Sequence, residues 1–438
     1  MQRKDTQPRL IRAMIDIFTL PDLRRKLLFT LGLLVVFRFV THVPLPGVDP
    51  QVLRDLFEQN QILGMLDLFS GGAMRRFSVA ALGVYPYITA SIIMQLLVPV
   101  IPSLQSIAQE GEAGQRKINR ITHLLTIPLA ALSGYGQLSL LHSQNAIGYL
   151  EPLTIVVIVI SLTAGTVFLV WLGELITERG IGNGISIIIF AGIVASLPEM
   201  VGRGFLAKEN PLGLITFIIL SLATLVFIVM FIEAHRRIPV QYARSTIRGN
   251  RMYRQSGSTY IPLRVNTAGM IPLIFAIAMM TFPGTIASYF ASPAGGTPNF
   301  ADTIMQIFNP QATLPLALIY RSLYFVLVIG FVFFYTMVIF EQMNLPETLQ
   351  RQGGFIPGVR PGKATADYLN RVIRHLTFGG ALFLAMVAIM PFIARDITGV
   401  TVLTIQSTAL LIAVGVALDT MKQLEAQLTM RRYEGFLK

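Results

Sequence analysis

The sequence predicts an all-α polytopic membrane protein with ten transmembrane helices, and three observations carry that reading. The 438 residues are 53% hydrophobic and 13% charged. Roughly a quarter of a soluble domain is charged, so this chain has too little polar material to cover its apolar surface as a soluble enzyme would. Apolar runs long enough to cross a bilayer, about 20 residues each, recur along the whole chain. The 35 Lys and Arg, against 23 Asp and Glu, concentrate on alternate connections between those runs.

The first run, 27–43, follows a charged tail, 1–26, and has no small-residue cleavage site behind it. It therefore reads as a span and not as a cleaved signal. The further spans are expected at 77–101, 121–141, 152–173, 181–198, 211–232, 265–291, 314–340, 376–394 and 400–418. No connection is large enough for a separate folded domain. Ten spans put both termini on one side. The connections of that side hold 27 of the Lys and Arg, those of the other side seven, and Arg38 lies inside the first span. A positive excess marks the cytosolic side. Both ends, including the tail 422–438, are expected in the cytosol, and 199–210 is expected as an external connection.

Two stretches depart from the pattern of spans and short loops. Gln61–Arg76 carries Ile62, Leu63, Met65, Leu66, Leu68 and Phe69 at helical spacing. It is interrupted by Gly64 and Asp67 and ends in Ser70-Gly71-Gly72 before Arg75-Arg76. It is too short and too polar to cross lipid. Either it is a half-helix folded into a pore or vestibule, with Ser70-Gly71-Gly72 as its hinge, or it is an amphipathic helix on the outer interface. The loop 235–264 holds seven Arg and no Lys or acid, interleaved with Tyr242, Tyr253 and Tyr260. Its flanks Ile238–Arg244 and Ser258–Arg264 are strand-like, and Gly249-Asn250 is a turn signal. Arginine suits planar recognition of phosphate or carboxylate, so a hairpin meeting nucleic acid or an acidic protein stands against a loop that merely hugs the membrane. A second loop, 341–376, with Gly353-Gly354, Pro357-Gly358 and Arg360-Pro361-Gly362-Lys363, reads as another structured projection.

The residues offer no catalytic, metal or cofactor site. Cysteine is absent, which excludes disulfides and thiolate ligands. There is no H-E-x-x-H pattern, no P-loop and no G-x-S-x-G elbow. An ion-coupled transporter of a small solute is the competing class, but it would place ionisable groups at mid-membrane. Here only Arg38 lies clearly within a span, and Arg321 lies near the outer end of another. An intramembrane enzyme is a third class, without a motif to support it. The spans instead carry isoleucine repeatedly, and several at one level would form an apolar constriction that resists ions.

Specific strings then carry a family resemblance. Phe69-Ser70-Gly71-Gly72-Ala73 precedes Ala81-Leu82-Gly83-Val84-Tyr85-Pro86-Tyr87-Ile88-Thr89-Ala90-Ser91-Ile92-Ile93. Trp171-Leu172-Gly173-Glu174 is followed by Ile176-Thr177-Glu178-Arg179-Gly180-Ile181-Gly182-Asn183-Gly184-Ile185-Ser186, and Pro357-Gly358-Val359-Arg360-Pro361-Gly362 comes later. With these in order along essentially its whole length, the chain resembles the SecY family, the large subunits of the bacterial protein-conducting channel. The resemblance implies two pseudo-symmetric five-helix halves, 27–198 and 211–421, joined by an external hinge at 199–210. It implies a passive pore in the bacterial cytoplasmic (inner) membrane, with no enzymatic activity, that moves unfolded polypeptide across and releases signal sequences and membrane helices sideways.

The implied site residues are a pore ring of Val84, Ile88, Ile185, Ile189, Ile274 and Ile412. A plug is implied at about 61–76, with Met65, Leu66, Leu68, Phe69, Ser70, Gly71 and Gly72. Lateral-gate positions are Ile92, Thr122, Leu125 and Asn266. Docking positions are Arg244, Arg248, Arg251, Arg254, Arg360 and Lys363. The implied partners are the small membrane subunits SecE and SecG, the SecA motor ATPase, the ribosome through its RNA and proteins, secretory or nascent polypeptides, and membrane lipids.

Overall fold

Each of the ten expected spans falls on a helix in the computed structural model, which describes residues 20–45, 53, 67, 70–143, 151–206, 211–248, 251–267, 269, 271–290, 299–309, 312, 315–343, 345–398 and 404–435. The helices on the spans are α1 (Pro21–Val40), α2 (Tyr85–Leu97), α4 (Glu112–Ser143), α5 (Pro152–Arg179), α6 (Gly184–Leu206), α7 (Pro211–Glu233), α8 (Ile271–Tyr289), α10 (Leu316–Met343), α12 (Lys363–Thr398) and α13 (Thr404–Gly435). Short helices α3 (Pro102–Gln109), α9 (Phe300–Ile307) and α11 (Leu345–Arg351) lie between them. Proline stands in the first turn of α1, α2, α3 and α5, where its missing N–H has no helical partner to lose.

Judged by length and composition alone, three helical stretches among the described residues would cross a membrane, and α2 with α3, bent by 98°, would make a fourth. Shorter apolar helical stretches among the described residues are Gly184–Ser196, Leu222–Glu233 and Ile271–Ala287. Large apolar side chains such as Val35, Phe39, Ile160, Ile219, Phe227 and Val326 are exposed. In water that would be a liability; facing lipid it has no penalty.

The chain divides into two compact units. The first comprises Met1–Glu209, Ala278–Tyr320 and Ile405–Lys438; the second comprises Asn210–Ile277 and Arg321–Thr404. In the first, α4 packs against α2 and α5, and α5 against α1 and α6. In the second, α7 packs against α12, with Phe231 and Phe383 stacked at 3.8 Å between ring centroids.

The second unit also carries a small sheet in the order β2-β1-β3. Strands β1 (His235–Arg248) and β2 (Arg251–Arg264) pair antiparallel from His235↔Arg264 to Arg248↔Arg251, as the alternation and the Gly249-Asn250 signal predict. Strand β3 (Gly354–Phe355), from the second projection, adds to β1 at Tyr242 and Gln241. Pro239 and Pro262 are tolerated because β1 has a second neighbour only at 241–242 and β2 is an edge strand. Ile238, Val240 and Leu263 meet Leu349, Ile356, Leu369 and Val372 in a buried apolar cluster. The two projections are thus one platform, joined beneath the hairpin.

Three sequence expectations change. The second span does not begin near Phe77. Residues 71–84 are turns and α2 starts at Tyr85, because Gly71, Gly72, Gly83 and even Phe77 hold positive φ, which a helix cannot contain. For the same reason the half-helix does not reach Arg76; its described helical residues end at Ser70. The connection 199–210 is not all loop, since α6 runs through Pro198 to Leu206.

Candidate functional site

Val84 closes the turn before α2, and its carbonyl accepts the N–H of Ile88, 3.1 Å away. The two residues are one helical turn apart, as are Ile185 and Ile189 on α6. Spacing of four puts each pair on a single face. Val84, Ile88, Ile189 and Ile412 are each 3% exposed or less, and Ile185 is half-buried. These five belong to the first unit. Ile274, in the first turn of α8 in the second unit, is buried as well. Tyr85, beside Val84, donates its hydroxyl to the Ala278 carbonyl at 3.4 Å.

The gate candidates Ile92 and Thr122 are buried on the packed pair α2 and α4, and Leu125 on α4 is half-buried. Thr122 returns its hydroxyl to the Ile118 carbonyl at 3.0 Å, so its polarity is satisfied within its own helix. Asn266, in the second unit, is buried and donates to the Gly269 carbonyl at 2.9 Å in the turn before α8.

Of the plug candidates, Met65, Leu66, Leu68 and Phe69 lie outside the described residues. The segment after them is densely bonded within the first unit. Asp67 is buried, and its carboxylate takes the Arg75 guanidinium at 2.6 Å and the Arg75 N–H at 3.1 Å. Its carbonyl accepts the Ser70 hydroxyl and the Gly72 N–H, both at 3.0 Å. Ser70, wholly buried, accepts the Met74 N–H at 3.1 Å. Arg38, from the last turn of α1, donates to the Gly71 carbonyl at 2.8 Å. Arg76 meets His42. A bridge of Pro44 and Ser78, flanked by Leu45 N–H to Phe77 O at 2.9 Å and Val79 N–H to Val43 O at 3.0 Å, continues the attachment.

Arg38 and Arg321 therefore have structural partners. Arg38 holds Gly71. Arg321 makes a two-pronged bond to Asp396, at 2.6 and 3.1 Å, and lies over the Phe392 ring. Hydropathy flagged both residues and could not name either partner.

The long string 176–186 turns out to be an anchoring turn. Ile181 N–H donates to the Thr30 hydroxyl at 3.3 Å, and Gly184 N–H to the Thr177 hydroxyl at 2.9 Å. A Cβ at Gly184 would lie 1.8 Å from the Gly173 carbonyl oxygen, so only glycine fits. Ile181 joins Leu23 and Leu424 in a buried cluster that ties both ends of the chain to this turn.

Among the docking candidates, Arg360 and Lys363 are exposed at the start of α12. The turn there is fixed by Gly358 and Gly362 at positive φ and by Thr365 donating to the Arg360 carbonyl at 2.9 Å. Arg244, Arg248, Arg251 and Arg254 occupy the far half of the hairpin, in the pairs Arg244↔Gln255, Ser245↔Arg254 and Arg248↔Arg251. At the hairpin's base, the Arg237 guanidinium lies 4.9 Å from the centre of the Tyr260 ring, a cation–π contact.

Comparison with known proteins gives one answer. The family model described as SecY matches residues 78–421. The chain is 43% identical to the protein translocase subunit SecY of Streptomyces lividans over 98% of this chain and all of that one. It is 41% identical to the same subunit of Thermotoga maritima over 98% of each. A solved protein-conducting channel superposes with TM-score 0.65 at 19% identity, covering 94% of this chain and 96% of that one. Sec61 in the canine ribosome-channel complex gives TM-score 0.64 at 19% identity over the same shares.

Proposed function

The chain belongs to the SecY family of protein translocase subunits, and from that premise we propose how its parts work. It is a membrane protein and the channel subunit of the translocase, not an enzyme. Our reading places it in the cytoplasmic membrane of a bacterium with both termini and the platform in the cytosol. The 27-to-7 division of Lys and Arg supports that orientation.

Val84, Ile88, Ile185, Ile189 and Ile412, with Ile274 as the second unit's candidate, form the waist of the pore. The observation that carries this is their chemistry together with their burial: five of the six are covered, and none offers a polar atom beyond its backbone. A secretory chain brings every kind of side chain past the same point. An aliphatic lining deforms around each and holds none by hydrogen bonds, and when empty it supplies nothing to replace an ion's water. The residues about 61–76 act as the plug. Ile92, Thr122, Leu125 and Asn266 belong to a gate opening toward lipid. Through it a signal sequence gains roughly 0.8 kcal/mol for each CH₂ it buries.

Directional force comes from partners. The exposed Arg360 and Lys363 and the arginine-bearing end of the hairpin dock the ribosome or the SecA motor, and the small subunits SecE and SecG complete the complex in the membrane. A relative has been solved in a ribosome-channel complex, which supports the ribosome as one occupant.

The test is a stalled secretory chain carrying a photo-activatable cross-linker in the reconstituted complex. Adducts at Ile88 and Ile274 are expected, and adducts confined to outward residues such as Leu222 would overturn the waist. Replacing Arg248 and Arg251 together by Glu should weaken ribosome or motor binding most at low salt, the difference shrinking as salt rises; undiminished binding would remove the hairpin from the docking surface.

A further inference from the structure

His123 Nε2 on α4 and a carboxylate oxygen of Glu174 on α5 stand 2.8 Å apart, an ionisable pair between two packed membrane helices. Resting on the waist reading above, we propose that His123 and Glu174 are positioning residues for the waist. Their bond is a brace that ties the wall carrying Val84 and Ile88 to the wall carrying Ile185 and Ile189.

The brace reaches both walls within the first unit. On one side the His123 ring meets the Tyr87 ring of α2, with centroids 5.5 Å apart and planes tilted by 59°. Tyr87 is the chain neighbour of Ile88, whose N–H is bonded to the Val84 carbonyl. On the other side Glu174 directly follows Gly173, where α5 and α6 are in close contact. A Cβ on Gly173 would stand 2.5 Å from the Ile185 side chain, and one on Gly184 would stand 1.8 Å from the Gly173 carbonyl oxygen. A shift of Glu174 along α5 therefore carries the seat of Ile185 with it, and a shift of His123 is felt by the ring next to Ile88. The string Trp171-Leu172-Gly173-Glu174 thus serves twice: its glycine admits α6, and its acid holds α4.

Apolar contact alone would press these helices together. It is non-directional, so it leaves their register loose. A hydrogen bond between ionisable groups weakens within a short displacement and so fixes the register of α4 on α5. Placing such groups at membrane depth is costly and marks a functional position. Helix α2 brings no charged residue to the pair. On α4, the neighbouring cations Arg116 and Lys117 engage Glu112 and Glu110. The His123 and Glu174 side chains are 29% and 47% exposed, so the bond is modest in strength. A modest bond suits a wall that has to part for a passing chain and close behind it.

Resting ion conductance of the reconstituted complex, compared at equal amounts of assembled channel, tests the brace. His123→Gln and Glu174→Gln should each raise the leak by up to about fivefold. The double variant should leak no more than either single one, because both changes remove the same bond. His123→Arg, which keeps a cation and N–H donors facing Glu174, should stay close to the parent. Glutamine variants as tight as the parent, or leaks that multiply in the double variant, would overturn the brace. An arginine variant as leaky as the glutamine one would assign the effect to ring shape and overturn the pair. Ile88→Asn separates the brace from the waist. If it leaks and the glutamine variants do not, the brace fails and the waist stands. If it does not leak, the waist reading fails and takes the brace with it.

Discussion

The turn at 70–79, closed by Asp67, and the platform under the hairpin are both held firmly in place, and they are held by opposite means. The turn relies on directed polar bonds: one carboxylate, two guanidinium groups and a glycine pressed against a glycine. The platform relies on an apolar cluster, Ile238, Val240, Leu263, Leu349, Ile356, Leu369 and Val372, that buries side chains from five chain segments. Directed bonds fix geometry closely but lose their energy over a short displacement. Burial is non-directional and degrades gradually as atoms are removed. A part that must give one exact position to its neighbour suits the first means. A part that must survive pulling by a large partner suits the second.

That contrast can be broken most decisively at Gly71. Gly71→Val puts branched carbon into the backbone of Gly192, and it also strains a left-handed residue. We expect the solubilised complex to lose several kcal/mol or fail to assemble, read from its thermal unfolding, whereas Gly72→Ala should lose only about 1 kcal/mol. Equal effects would mean that the close approach is unimportant.

Next is the platform core. Val240→Ala combined with Leu369→Ala should destabilise the platform by about 3–6 kcal/mol, seen as faster protease cleavage within 235–264. Ion tightness should be unchanged, because no bond of the 70–79 turn is touched.

Gly354→Ala is a finer probe of the same region. Its Cβ would meet the Tyr242 ring at 2.8 Å, and the ring, half-buried, can move aside. About 1 kcal/mol is expected, with loss of amide protection restricted to Gln241 and Tyr242. Smallest is Arg351→Ala, which removes an exposed pair with Glu347 at 3.7 Å. A change within about 0.5 kcal/mol is expected, and a larger one would show that the platform also depends on its surface charges.

The sequence is most readable where one physical rule dominates. The spans follow hydropathy because the bilayer demands it. The hairpin follows alternation, with a Gly-Asn signal between two strands of 14 residues. Hydropathy misplaces the beginning of α2 because it is blind to backbone hand: Phe77–Val84 is apolar enough for a span, yet Phe77 and Gly83 turn the wrong way. The pair Gly83 and Pro86 is a usable stop-and-start signal. Strand β3 is unreadable, being two residues whose partners lie more than a hundred positions earlier. The structural duties of Arg38 and Arg321 require the third dimension, since nothing near them in sequence names Gly71 or Asp396. The candidate waist comes from resemblance, because periodicity treats one buried isoleucine like another.

Helix α12 has a mechanical consequence. It runs unbroken through 36 residues, Lys363–Thr398. Its early residues Leu369 and Val372 sit in the platform core, while Phe383, farther along, is stacked on α7. Up to Pro391 it is a continuous helix of roughly 40 Å, at 1.5 Å per residue. Tilting such a rod by about 5° moves its far end by about 3–4 Å, close to the width of a methylene chain. Torque applied to the hairpin is therefore carried along one continuous helix toward the far side of the second unit.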